Sequence, residues 1–205
     1  MATKYEVPDK LFITPADMRL RYGRYDPNVF RRWERAGKVR KIRNGLYRTG
    51  QREIQGDYDR FVQAKHIYGP SYVSLYSALR LYNFIPEAVY RVTSITTRKT
   101  NSLRVGNTSY DYQTVKPELF FGYRTEHWKG STFYLATPEK ALLDLAYLEP
   151  DFSDREWIRG MRFDYEEMQE LLDWSTMFLY ADQIDSRVMK LRITLLLEEQ
   201  ERAGY

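Results

Sequence analysis

The residues with the clearest chemical potential form a dense group of cations and amides near the N-terminus. Between Arg19 and Arg52 the chain holds twelve Lys or Arg residues and two acids, Asp26 and Glu34. A solvated helix rarely needs so one-sided a charge, whereas a surface that follows a phosphate backbone does. The candidate contacts to a nucleic acid are Arg24, Asn28, Arg31, Arg32, Arg35, Lys38, Arg40, Lys41, Arg43 and Asn44.

Catalytic patterns are much weaker than this charge pattern. A restriction-type nuclease needs an acid two positions before a lysine on one strand, and none of the ten lysines has one. A nucleotidyltransferase needs Gly-Ser closely followed by two acids, which Gly130-Ser131 lacks until Glu149 and Asp151. There is no cysteine, the two histidines are far apart, and no glycine-rich phosphate loop is present. The sequence therefore predicts a protein that is not an enzyme and that has no cofactor or metal.

Two short helices are expected to position most of the cations. Thr14-Pro15 predicts the start of a first helix, with Thr14 as its cap, and Gly23 ends it. Asp26-Pro27 repeats the pattern for a second helix, which Gly37 follows. The two helices therefore meet at a turn of about four residues, as in a helix-turn-helix.

The second helix separates into a core face and a cationic face when its residues are placed about 100° apart. The predicted buried side holds Val29, Phe30, Trp33 and Ala36. The opposite side holds Asn28, Arg31, Arg32 and Arg35. The N-terminal part of such a second helix usually meets base edges in the major groove, so Arg31 and Arg32 are the candidates for base contact.

A hairpin is expected directly after this helix. Asn44-Gly45 within KVRKIRNGLYR predicts a type I′ turn, and its arms carry Lys38, Arg40, Lys41 and Arg43. Such cations are suited to phosphate contact or minor-groove entry. For a lone basic helix, solvated surface cations would be the simpler interpretation. The adjoining basic β-ribbon favours DNA binding by a winged helix, because cations then lie on two neighbouring elements.

The chain after residue 56 predicts a second domain. A helix is expected from Asp57 to Tyr68, and Ser74 is expected to cap another from Leu75 to about Tyr82. Short β-rich runs follow between Val92 and Ala136, including Leu119–Tyr123. They predict a mostly antiparallel sheet of about four or five strands, flanked by helices. The predicted fold class is therefore α+β, with a winged helix-turn-helix at 1–52 and this mixed domain at 57–205.

The last third of the chain is helical and acidic. Thr137-Pro138 predicts a helix start, and the apolar stripe of KALLDLAYL is expected to serve packing. Glu139 suits the helix dipole, so it is interpreted as a stabiliser of the helix terminus and not as a general base. Residues 136–205 hold 8 basic and 16 acidic groups, so this end is expected to face away from DNA. A final helix from Ser186 to Glu201 is apolar around more than one face, which is typical of a core helix or an interface.

Three segments carry a resemblance to a known family. The first runs through Trp33, Gly37, Ile42, Arg43, Gly45, Leu46 and Tyr47; the second holds Ser77-Ala78-Leu79 and the β-rich Val92–Thr97; the third is TPEKALLDLAYL at Thr137–Leu148. In this order they resemble the AbiEi-type antitoxins of bacterial abortive-infection systems, which are type IV toxin–antitoxin modules. The resemblance implies an N-terminal winged helix that represses its own operon and a second domain that counteracts a cognate nucleotidyltransferase-like toxin, without the need for a stable complex.

Two other functions stay open at this stage. The first is a stand-alone winged-helix transcriptional regulator whose C-terminal domain senses a ligand or forms oligomers. The second is a DNA-processing protein with an active site that the motifs do not reveal. The chain lacks an apolar leader and any run of about eighteen apolar residues, so we expect a cytoplasmic protein that does not bind membranes. No heptad pattern predicts an oligomeric state.

Overall fold

The computed structural model describes residues 5–50 and 54–205. The chain divides into two compact units, one of Met1–Gly69 with Glu126–Phe133 and one of Pro70–Thr125 with Tyr134–Tyr205. The predicted junction at 49–56 includes residues 51–53, which lie outside the described residues. The helix that follows this junction belongs to the first unit. The separation of functions at 1–52 and 57–205 stays a prediction.

The first unit contains a three-stranded antiparallel sheet and helices. Its strands β1 (Phe12–Ile13), β2 (Val39–Arg43) and β3 (Leu46–Thr49) form a sheet with the order β1-β3-β2, in which β1 and β2 both pair with β3. In chain order its elements are β1 (Phe12–Ile13), α1 (Pro15–Tyr22), α2 (Asn28–Arg35), β2 (Val39–Arg43), β3 (Leu46–Thr49) and α3 (Gly56–Ile67). This order contains the two helices and the hairpin that the sequence predicts.

Side-chain hydrogen bonds to backbone N–H groups mark the starts of the first two helices. The Thr14 hydroxyl accepts the Asp17 backbone N–H, and the Asp17 carboxylate accepts the Thr14 N–H at 2.8 Å, so both ends of a capping box are present. Asp26 Oδ1 accepts the Asn28 N–H at 2.9 Å, immediately before α2. Gly23 ends α1 with a φ of 65°. The predicted start and end of α1 are confirmed. Helix α2 begins at Asn28, so Pro27, and not Asp26 as predicted, is its N-cap residue.

The core of the first unit lies beneath α2. Val29, Phe30 and Trp33 are buried, and the Phe30 ring stacks on Tyr47 with centroids 4.2 Å apart. Ile13, Met18 and Val39 complete this cluster. The prediction that Ala36 belongs to the buried face is wrong, because α2 ends at Arg35 and Ala36 lies exposed beyond its last turn.

The turn of the β2–β3 hairpin differs from the predicted type. Gly45 has a φ of 76°, but Asn44 is not in the left-handed region, so the turn is not type I′. The pairing shifts between Lys41 and Arg43, which leaves Ile42 as an extra residue in β2. This bulge changes the register before the turn, so that only the glycine needs a positive φ.

Helix α3 is fixed to the segment Glu126–Phe133 within the first unit. Asp59 is 1% exposed and accepts hydrogen bonds from Trp128 Nε1 at 2.6 Å, Lys129 Nζ at 2.8 Å and the Gln55 N–H at 2.9 Å. Burial raises the pKa of Asp59, but these hydrogen bonds outweigh it and hold the pKa below its usual value. The Tyr58 ring also contacts those of Trp128 and Phe133.

The second unit is built on a mixed sheet and helices. The strands of this sheet are β4 (Ser71–Val73), β5 (Arg91–Thr96), β6 (Asn101–Val105), β7 (Thr108–Thr114), β8 (Tyr123–Trp128) and β9 (Ser131–Ala136). The parts of β8 and β9 that fall within Glu126–Phe133 belong to the first unit. The helices are α4 (Leu75–Leu81), α5 (Pro138–Leu148), α6 (Arg155–Gly160), α7 (Tyr165–Leu171), α8 (Trp174–Gln183) and α9 (Arg187–Arg202). The α+β class is confirmed.

The sheet has more strands and more parallel pairing than the sequence predicts. Its order is β6-β7-β5-β4-β9-β8, with β4/β5 and β6/β7 antiparallel but β4/β9 and β5/β7 parallel. Leu119–Tyr123 is not a strand, because Pro117–Leu119 forms a short 3-10 turn and β8 starts only at Tyr123. A strand of three residues such as β4 has too little periodicity to stand out in the sequence.

Helix α5 is the central helix of the second unit and carries a buried polar network. Its residues from Pro138 to Ala146 are all buried, including Lys140 and Asp144. The Lys140 ammonium donates to Asp144, which also accepts from the hydroxyls of Tyr72, at 3.0 Å, and Ser74, at 2.7 Å. Ser74 is the N-cap residue of α4, as the sequence predicts, but its hydroxyl is bonded to Asp144 and does not accept a backbone N–H of the helix.

Glu139 does stabilise a helix start, but through a tertiary contact. Its Oε1 accepts the backbone N–H of Asp173 at 3.1 Å, and Asp173 is the cap residue of α8. The last helix of the unit, α9, buries Met189, Ile193 and Leu196 and exposes Val188 and Leu191. In the part of the chain that the structure describes, no helix is both long enough and apolar enough to cross a membrane.

Candidate nucleic-acid interface

The outward face of α2 is exposed as the helical periodicity predicts. Asn28, Arg31, Arg32 and Arg35 are all exposed, while the other face of the helix is buried. The exposed side chains are anchored by a rigid support, because Trp33 at the centre of the buried face is only 1% exposed. The helix therefore presents three guanidinium groups and one amide on a fixed backbone.

The first strand of the hairpin continues this cationic surface. Lys38, Arg40 and Lys41 are exposed, whereas Val39 between them is buried. The strand is joined to α2 by two hydrogen bonds: the Lys38 N–H donates to the Trp33 carbonyl at 2.8 Å, and the Lys41 N–H donates to the side-chain Oε1 of Glu34 at 3.3 Å. Helix and hairpin are thus held side by side.

Most of these cations have no internal counter-charge. Within residues 5–50 and 54–205, no ion pair or side-chain hydrogen bond involves Arg24, Arg31, Arg35, Lys38, Arg40 or Lys41. Of the two acids in the basic stretch, Asp26 pairs with Arg32 at 2.7 Å, and Glu34 accepts the backbone N–H of Lys41. Unneutralised surface cations are available to an external anion, and phosphate is the commonest polymeric one.

Arg43 is placed differently from the other hairpin cations. Its Nη2 donates to the backbone carbonyl of His66 at 3.0 Å, near the C-terminal end of α3. A cation is favourable there because the last carbonyls of a helix carry partial negative charge. The sequence predicts Arg43 only as a phosphate contact. The structure shows that it also tethers the hairpin to α3.

His66 itself is neutral at physiological pH. Burial, together with the charge of Lys65, lowers the pKa of His66 to about 4. Its ring lies 6.0 Å from that of Phe12, so it forms part of the packing between α3 and β1. The neutral ring adds no charge to the cationic surface.

The last two sequence candidates lie in turns. Arg24 is exposed between α1 and α2, and Asn44 is exposed in the turn of the hairpin. Asp26 has a second role that the sequence pattern did not predict, since the pattern indicated only a helix cap at this position. Its second oxygen holds Arg32, six residues later. No helical spacing predicts this pair, because Asp26 precedes the helix that contains Arg32.

No constellation typical of catalysis accompanies this surface. Among the described residues, no group of three or more His, Asp or Glu side chains is arranged to hold a metal ion. The network of Lys140, Asp144, Tyr72 and Ser74 contains nucleophilic groups, but each of the four residues is at most 1% exposed. A substrate cannot reach these groups without opening the core. That the chain is not an enzyme stays a prediction.

The second unit contains an open apolar cleft of about 510 Å³. It is lined mainly by Tyr76, Ile85, Val89, Tyr90 and Met161, and the charged residues Glu87 and Arg91 also line it. Glu87 is bonded to Arg162, and Arg91 forms an ion pair with Asp111 at 2.8 Å. The cleft has the size and the mainly apolar lining of a site for a small organic molecule.

Comparison with known proteins adds no assignment. No protein-family model matches the chain, and no curated protein is significantly similar to it.

Proposed function

We propose that the first unit is a winged-helix module that binds double-stranded DNA. In this proposal α2 enters the major groove and the β2–β3 hairpin contacts the adjacent backbone. The observation that carries it is the pair of neighbouring elements whose exposed cations have no internal partner, Arg31 and Arg35 on α2 and Arg40 and Lys41 on β2. DNA contact would supply the missing counter-charges.

The cations divide into two roles. The N-terminal half of α2 presents Asn28, Arg31 and Arg32 to base edges, where amides and guanidinium groups form bidentate hydrogen bonds. Lys38, Arg40 and Lys41 neutralise phosphates and set the orientation of the protein on the duplex. Arg24 and Asn44 lie in turns at the margins of this surface, where backbone contact is the natural use.

We further propose that the chain is an antitoxin of the AbiEi type that represses its own operon. The support is the resemblance of its segments in their order along the chain. The matching segment Thr137–Leu148 also forms the buried helix α5 of the second unit, so its motif residues serve that fold. Counteraction of a nucleotidyltransferase-like toxin is then the function of the second unit, and operator binding that of the first.

Duplex titration at several salt concentrations tests the DNA proposal. Replacing both Arg40 and Lys41 by alanine should weaken binding to any duplex. It should also reduce the slope of log affinity against log salt concentration by the amount expected for about two phosphate contacts. The matched control is Arg202→Ala, which removes an exposed cation from the end of α9 and should leave both quantities unchanged. Equal binding by the double variant and the wild type would contradict the proposal.

Co-expression tests the antitoxin proposal. If the reading frame next to this gene encodes a nucleotidyltransferase-like protein that arrests growth, the full chain should restore growth. An Arg31→Ala/Arg32→Ala variant should lose repression of the operon but still restore growth when it is expressed from another promoter. Failure of the wild-type chain to restore growth would reject the antitoxin function and leave DNA binding untouched.

The apolar cleft favours a second candidate, a stand-alone regulator that senses a ligand. In that case no toxin gene is needed, and a small apolar molecule bound beside Tyr76 and Met161 would change the affinity for DNA. Thermal-shift screening with aromatic and aliphatic acids tests it, since a ligand that binds the folded chain raises its melting temperature. Met161→Trp, which fills the cleft, should abolish such a shift.

A further inference from the structure

One acidic side chain organises the N-terminal end of α2. Asp26 Oδ2 accepts a hydrogen bond from Arg32 Nη1 at 2.7 Å. Asp26 Oδ1 accepts the Asn28 backbone N–H at 2.9 Å and the Asn28 Nδ2 amide at 3.1 Å. The Asp26 and Arg32 side chains are 41% and 46% exposed, so the pair lies on the outward side of the helix.

The contact leaves Arg32 able to bind a second partner. Within the described residues the Arg32 side chain makes no other hydrogen bond. The pair with Asp26 uses one N–H of Nη1, so the Nε–H and Nη2–H along the other edge of the guanidinium stay available. Two parallel N–H donors match the O6 and N7 acceptors that guanine presents in the major groove.

Holding the guanidinium in place favours discrimination between bases. A free arginine loses much rotamer freedom when it docks on a base, and a side chain that is already held loses less. The carboxylate also repels phosphates, so Asp26 opposes binding that depends on charge alone. An acid at this position therefore lowers affinity for random DNA while it raises the preference for one base.

We infer that Asp26 is a positioning residue that fixes Arg32 to read a guanine in the major groove. The inference rests on the proposed binding of DNA through α2, and it adds the base that is read and the residue that sets specificity. Asp26 acts through Arg32 and does not itself contact the base.

A purely structural role for Asp26 makes a different prediction. Its Oδ1 also accepts the Asn28 N–H at the start of α2, and the side-chain oxygen of an asparagine can accept the same bond. Asp26→Asn therefore keeps this bond and removes the charge that holds Arg32. If the role were this bond alone, the variant would behave as the wild type in every binding assay.

The experiment compares full-length variants on selected DNA. Sequences bound by the wild type are selected from a library of random duplexes, and affinities are then measured for each single-base variant of the selected site. The wild type should require a guanine at one position, and 7-deazaguanine there, which lacks the N7 acceptor, should weaken binding about fivefold or more. Arg32→Ala should remove the preference at that position alone.

Asp26→Asn should relax the same position while it binds random duplexes as tightly as the wild type or more tightly. Its melting temperature should be unchanged, which shows that the bond to the Asn28 N–H is kept. The control for charge alone is Asp9→Asn, which removes an exposed acid elsewhere in the same unit and should leave base preference unchanged.

Three results would overturn the inference and can be told apart. If Arg32→Ala relaxes a position that Asp26→Asn leaves unchanged, Asp26 does not position the arginine, although DNA binding stands. If the wild type prefers a base other than guanine at the position where the variants lose their preference, the assignment of the base is wrong. If the wild type binds no duplex at all, the proposed function fails together with the inference.

Discussion

Lys140 and Asp144 form an ion pair one turn apart on α5, with side chains that are 1% and 2% exposed. Gly122, at a φ of 71°, leaves room for the stem of Lys140, since a Cβ there would come within 2.9 Å of the lysine Cγ. Burial raises the pKa of Asp144, and the lysine beside it opposes that shift. The pair is therefore a site where the loss of one partner is costly.

Lys140→Met should destabilise the protein strongly, because it leaves a buried carboxylate with only two hydroxyl partners, Tyr72 and Ser74. We expect a loss of roughly 3–5 kcal/mol in the free energy of unfolding, measured by urea denaturation. The double variant Lys140→Met/Asp144→Leu should be more stable than Lys140→Met alone, since no buried charge then lacks a partner. Lys190→Met, which breaks an exposed pair with Asp182, is the control and should change little. If the loss of unfolding free energy in the double variant equalled the sum of the losses in the two single variants, Lys140 and Asp144 would not be energetically coupled.

His66 should make stability fall as the pH is lowered from 7 to 5. Its pKa is about 4 in the folded chain and near 6.5 when unfolded, so the unfolded state takes up the proton first. The contribution is fully present above the unfolded pKa and decreases as the pH falls toward the folded pKa. We expect a loss of about 2 kcal/mol between pH 7 and pH 5, which His66→Gln should remove. His127→Gln, at an exposed position, should keep the wild-type profile.

Trp33 should be the residue on which the fold of the first unit depends most. Trp33→Ala opens the core beneath α2 and should cost roughly 3–5 kcal/mol, with loss of DNA binding as a consequence of unfolding. Trp33→Phe should cost much less, because the indole Nε1 is buried without a hydrogen-bond partner and phenylalanine removes that group. Thermal denaturation followed by circular dichroism ranks the two variants. If Trp33→Phe lost as much stability as Trp33→Ala, the volume of an aromatic ring at this position would not be what supports the core.

Arg43 and Lys41 should separate stability from DNA contact. Arg43→Ala removes the hydrogen bond to the His66 carbonyl and should lower the melting temperature as well as the affinity for DNA. Lys41→Ala should leave the melting temperature unchanged. It should reduce the slope of log affinity against log salt concentration by the amount expected for about one phosphate contact. The two measurements are thermal denaturation and duplex titration on the same preparations. A normal melting temperature for folded Arg43→Ala would show that the tether is not needed.

Features that rest on short-range signals could be predicted from the sequence. Thr14 and Asp26 mark helix starts because their side chains reach backbone N–H groups within two or three residues. The amphipathic pattern of α2 likewise placed Arg31 and Arg35 on the outside, since a regular helix turns by a constant angle. The type of the hairpin turn was missed because a bulge at Ile42 altered the register.

The sequence by itself thus determined the α+β class, the position of the helices and hairpin near the N-terminus, and the face on which the cations lie. Only the tertiary structure decided the parallel pairing of β4 with β9, the hydrogen bond from Tyr72 to Asp144, and the tether from Arg43 to His66. The physical reason is the distance along the chain over which each kind of interaction acts. Periodicity and capping act over one or two helical turns, whereas these contacts join residues that are brought together only when the whole unit folds.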